Sequence, residues 1–76
     1  MIIMTLNCGS SSVKYQLFDW DRGDTLSTGI VERIGLDDSF IKHKAKGKEE
    51  VERTHSCPDH REAISLINEI IVDPEA

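Results

Sequence analysis

Apolar and polar positions set one rhythm through most of the chain and another near its end. Ile2 to Leu6 is a short apolar, partly β-branched run that predicts a strand buried on both faces. It stops at Asn7-Cys8-Gly9-Ser10-Ser11-Ser12, a cluster of turn-forming residues. From Val13 to Asp19 the period is two, with Val13, Tyr15 and Leu17 on one face and Lys14, Gln16 and Phe18 on the other. Phe18 and Trp20 are expected to bury against the sheet. Asp21-Arg22-Gly23-Asp24 has the composition of a hairpin turn, with Gly23 available for a positive φ. Thr25 to Ile34 resumes strand composition, with Gly29 as the candidate bulge and Gly35 as the stop.

Ser39 to Lys44 and Glu49 to Thr54 predict two exposed strands around Lys46-Gly47-Lys48, with only Phe40, Ile41 and Val51 apolar. The period then changes. Ala63, Ile64, Leu66, Ile67, Ile70 and Ile71 follow at three- and four-residue spacing, the stripe of an amphipathic helix. Pro58 suits its first position, with Ser56 or Cys57 as the cap, and Pro74 its end. Asp59 and Glu62 favour its N-terminal end through the helix dipole. The fold class expected is α+β: about five strands in an antiparallel or mixed meander, with one C-terminal helix on one face.

Composition narrows the function. The chain has 76 residues and a formal charge of −5, so it is one small unit and an unpromising general nucleic-acid binder. Its longest apolar run, Met1 to Met4, cannot cross a membrane as a helix, and no secretory signal is evident. Cys8 and Cys57 stand far apart and make no disulfide framework, which points to the cytoplasm. Lys42, Lys44, Lys46 and Lys48 are followed at once by Glu49, Glu50 and Glu52. That pattern suits a solvated hairpin with cross-strand charge pairs and a protected edge better than a basic patch. His55, Cys57 and His60 match no common zinc spacing and read as capping and surface residues. Cys8 reads as a small packing residue of its loop.

The chemistry is concentrated in residues 7–14. This segment joins two predicted strands and so forms a hairpin tip. Gly9 lets a ligand approach the backbone, and Ser10, Ser11 and Ser12 offer hydroxyl and amide donors to one small volume. Lys14 places an ammonium charge just past the turn. A many-oxygened anion such as a nucleotide phosphate requires that combination. Asn7 adds a neutral oxygen able to hold a hydrated Mg²⁺ directly or through water. The spacing is not that of a Walker A loop, and a strand follows where that loop has a helix. Loop amides, hydroxyls and Lys14 would hold the anion without a helix N-terminus.

Asn7-Cys8-Gly9-Ser10-Ser11-Ser12-Val13-Lys14, after an apolar first strand, resembles the opening of the acetate kinase family. Lys14 to Leu17, Val31 to Gly35 and Asp59 to Ile64 resemble that opening too, in its usual order, so the resemblance covers the whole chain. It implies a two-domain fold of the ribonuclease H-like, actin and sugar-kinase type, of which residues 1–76 would be an incomplete first portion. It also implies phosphoryl transfer between ATP and acetate, giving acetyl phosphate and ADP, in a cytoplasmic homodimer that uses Mg²⁺. By the same resemblance Lys14 would bind ATP, with Ser10, Ser12, Ser11 and Gly9 along the phosphate path and Asn7 at the metal. No catalytic residue is expected within the segment, and the segment alone is expected to be inactive. A propionate or other short-chain acyl kinase is the near alternative. A different class is a stand-alone β-rich module that binds an anion or a partner without catalysis.

Overall fold

The chain folds in the order β1 (Ile2–Cys8), β2 (Ser12–Asp19), β3 (Asp24–Glu32), β4 (Phe40–Ala45), β5 (Val51–Thr54) and α1 (His60–Ile71). The computed structural model describes residues 1–73, so the expected helix stop at Pro74 lies outside the described residues. Strands adjacent in sequence are adjacent in space, each antiparallel to the next, in the order β1-β2-β3-β4-β5. The meander and its single helix are those predicted from the hydrophobic period.

Turn chemistry sets the hairpins. Asp19 Oδ1 accepts from the Asp21 and Arg22 amides at 3.1 and 3.4 Å, and Gly23 takes φ 68° to bring the chain back. Gly47 does the same for β4 and β5 at φ 76°. β3 ends at Glu32, earlier than expected, because Arg33 adopts φ 60° and turns the chain out of the sheet. Buried Ser39 then ties the following loop together, its Oγ donating to the Arg33 carbonyl at 2.9 Å.

One face of the sheet carries the core. Val13 and Tyr15 of β2, Val31 of β3 and Ile41 of β4 pack there against Ala63, Leu66, Ile67 and Ile70 of α1, with Ile34 and Cys57 closing the end. Asp59 caps the helix, not Ser56 or Cys57: its carboxylate accepts from the Glu62 amide at 2.9 Å. The capping oxygen therefore starts the helix two residues after Pro58, and Cys57 is left free to enter the core.

Several side chains depart from expectation for one geometrical reason: α1 lies over β2 and β3. β1 is an edge strand beyond its reach, so Ile2 and Leu6 are exposed instead of buried on both faces, and only Met4 packs against the core. Trp20 lies past the end of β2 and is 63% exposed, touching the Phe18 ring edge-on. β4 is an interior strand, so its lysines protect no edge, and Ile41 and His43 alternate inward from it. The sheet's irregularity lies opposite Leu17 and Phe18, where the register skips Leu26, not at Gly29.

Candidate phosphate-side site

Asn7 and Lys14 are directly opposed partners across β1 and β2. Residues opposed in this way project from the same face, with Cβ atoms about 4.5–5.5 Å apart. Val13 and Tyr15 occupy the helix-covered face, so Lys14 and Asn7 share the open one. There they form one end of a groove of about 480 Å³, continued by Thr5, Gln16, Thr28, Ile30, Lys42 and Lys44, with Glu50 at its margin. Lys14 is exposed and has no carboxylate partner among the described residues. Its charge is available to an anion.

The hairpin tip itself is Gly9-Ser10-Ser11. The Gly9 amide donates to the Ser12 carbonyl at 2.8 Å, closing the turn. A side chain at Gly9 would come within 3.1 Å of Ser12 Oγ, closer than ordinary contact, so that hydroxyl would have to shift to admit one; no positive φ is involved. Two groups from elsewhere anchor the tip. The Ile34 amide donates to the Ser11 carbonyl at 3.0 Å, and His60 Nε2 lies 2.7 Å from the Gly9 carbonyl. The donors remain uncommitted. Among the described residues, the Ser10 and Ser11 amides and the hydroxyls of Ser10, Ser11 and Ser12 have no intramolecular acceptor. Such a run of unspent donors beside a lysine is suited to a phosphate-like anion.

The fit to magnesium is partial. Among the described residues no three His, Cys, Asp or Glu side chains gather at a metal-binding distance. Asn7 fits as a single oxygen ligand in a shell otherwise made of water and phosphate oxygens, the usual manner of Mg²⁺ at nucleotides.

The other singled-out residues resolve into separate roles. His55 meets Glu62 at 3.1 Å, Cys57 is fully buried, and His60 reaches the serine loop. Burial raises the Cys57 thiol, and nearby Glu62 and Asp59 add to the shift, so this sulfur is held as an unreactive thiol. Cys8 is exposed at the end of β1, not buried within its loop. Sequence reasoning missed the link from His60 to Gly9, which spans 51 residues and leaves no local pattern.

The geometry has close counterparts. The acetokinase family model matches residues 2–75. The acetate kinase of Geobacter sulfurreducens is 53% identical over 75 residues, which are 99% of this chain and 18% of that protein. The acetate kinase of Moorella thermoacetica is likewise 53% identical, over 74 residues. The crystal structure of Porphyromonas gingivalis acetate kinase superposes with a TM-score of 0.91 at 39% identity, covering 97% of this chain and 18% of that one. A propionate kinase from Francisella tularensis superposes with a TM-score of 0.82 at 27% identity over 93% of this chain. These neighbours have an actin-like fold. The chain thus spans 18–19% of the length of these curated relatives. Matched almost from end to end by the family model, and sharing with its members both the meander and its covering helix, the chain belongs to the acetokinase family.

Proposed function

We propose that this chain supplies the phosphate and magnesium side of an ATP:acetate phosphotransferase, as the opening portion of the first of two domains. One observation carries the reading: Asn7 and Lys14 stand opposed on the open face, next to a serine loop whose donors are unspent. Phosphoryl transfer asks a protein chiefly for positioning and charge neutralisation. Lys14 meets the phosphate charge as a mobile ammonium, while the Ser10 and Ser11 amides and the serine hydroxyls orient its oxygens. Asn7 offers one oxygen to the magnesium that accompanies the nucleotide; the ion, when bound, withdraws charge from the phosphates. The acetate-binding and remaining reacting groups are assigned to chain beyond residue 76, so the 76-residue segment should not turn over. The full enzyme is expected to work as a cytoplasmic homodimer, where ATP and the short-chain acid are both at hand.

The test is acetyl phosphate formation from ATP and acetate by a family-length enzyme carrying residues 1–76 at its start. Lys14→Ala should lower kcat/KM by about 10²-fold, the scale of losing one preorganised charge-stabilising donor. Full activity in that variant would remove Lys14 from the site. Absence of turnover on acetate and on propionate would overturn the family activity as the reading for this chain. Identity is higher to the acetate kinase structure than to the propionate kinase, 39% against 27%, which favours acetate; competition between the two acids decides the preference.

A further inference from the structure

We propose that His60 is a positioning residue for the serine loop, fixing the peptide between Gly9 and Ser10 so that its amide faces the phosphate. The inference rests on the phosphate-side reading above. His60 opens α1, and its Nε2 lies 2.7 Å from the Gly9 carbonyl. A carbonyl can only accept, so Nε2 carries the proton, and in the neutral ring Nδ1 is bare. A trans peptide is planar, with its C=O and N–H pointing in opposite directions. Holding the Gly9 carbonyl toward α1 therefore turns the Ser10 N–H away from α1. That N–H is one of the loop's uncommitted donors.

The neighbouring loop contacts are backbone to backbone: Gly9 amide to Ser12 carbonyl, and Ile34 amide to Ser11 carbonyl. Among the described residues, His60 is the one side chain that holds the tip. Its removal should loosen the Gly9–Ser10 peptide while leaving the strand register intact. The helix end is secured separately, by Asp59 on the Glu62 amide.

The experiment compares His60→Ala and His60→Gln in the family-length enzyme, because the Gln amide nitrogen stands in for Nε2. His60→Ala should raise KM for MgATP about 3- to 10-fold, the fold-change of one neutral hydrogen bond. KM for acetate should stay unchanged, exchange at the Gly9 and Ile34 amides, whose bonds close and anchor the tip, should quicken, and exchange along β2 and β3 should hold. His60→Gln should restore both KM and exchange. If His60→Ala does not fold, His60→Asn, whose amide falls short of the carbonyl, takes its place. An unchanged MgATP KM, an equal rise for acetate, or a Gln variant as impaired as Ala would each overturn the proposal. An unmodified enzyme that makes no acetyl phosphate would sink the functional reading instead. Gly9 and Ile34 amide exchange would then decide alone: faster in Ala and restored in Gln supports the positioning role, and no difference refutes it.

Discussion

The Tyr15 hydroxyl meets His43 Nδ1 at 2.5 Å beneath the helix, reaching it across Gly29. The three residues stand in one row over β2, β3 and β4, and glycine in the middle leaves room for the phenol to pass. Burial pushes the Tyr15 hydroxyl well above the ordinary phenol range. Burial also holds His43 below the ordinary 6.5, with smaller contributions from the Arg53 and Lys48 charges. A protonated phenol beside a neutral imidazole fits O–H donating to Nδ1, with the ring proton assigned to Nε2. Tyr15→Phe should therefore cost about 1–3 kcal/mol by leaving a buried nitrogen without its partner. Denaturant unfolding measures this, and an unchanged midpoint would show the bond to be dispensable.

The same pair sets a pH response. His43 binds a proton less readily in the folded protein than in the unfolded chain, so unfolding takes up protons below the ordinary value. The His43 contribution to stability is fully present above 6.5 and is lost as pH falls through the lowered folded-state value. His43→Gln should flatten that slope in unfolding midpoints taken from about pH 8 to about pH 5. A slope of unchanged steepness would assign the response to other groups.

Gly29→Ala should destabilise by about 1–3 kcal/mol through overpacking. A Cβ there would run into the Tyr15 ring and into the Lys42 carbonyl at 2.5 Å, and the backbone oxygen cannot swing aside. Tyr15→Phe should not rescue the variant, because the ring carbon beneath the hydroxyl remains in the way. A double variant as stable as Tyr15→Phe alone would contradict this account.

Removing the helix cap gives a simpler expectation. Asp59→Ala loses the carboxylate that accepts from Glu62 and should cost about 1 kcal/mol, while Asp59→Asn should recover most of it. Thermal unfolding of the two variants side by side checks the order.

Ser27 predicts the opposite sign. Its buried hydroxyl has no hydrogen-bond partner among the described residues. Ser27→Ala should leave stability unchanged or raise it by up to about 1 kcal/mol, since an unpaired polar group is expensive to bury. A clear loss in thermal unfolding would mean that the hydroxyl is paired in solution.

Elements with a repeating signal were legible in the sequence: the alternation through β2, the turn at Gly23 and the stripe from Ala63 to Ile71 each carry several consistent residues. The candidate loop was legible for a related reason, because Asn7, the glycine, the serines and Lys14 are contiguous. What escaped depended on lateral position in the sheet. Ile2 and Leu6 carry a buried-strand composition, yet burial is decided by where α1 lies, which no residue of β1 records. Gly29 suggests a bulge in the sequence because glycine weakens a strand. The reason for it is the ring of Tyr15, a cross-strand neighbour fixed only by register.

The bond from His60 to Gly9 also has a temporal consequence. Its partners lie 51 residues apart, so the entropy of closing that length of chain must be met before the contact can form. Hairpin contacts between β1 and β2 are local and can form early, whereas the anchored shape of their connecting tip must wait for α1. On an emerging polypeptide, the serine loop is synthesised near the beginning yet acquires its anchored geometry only after α1 has docked.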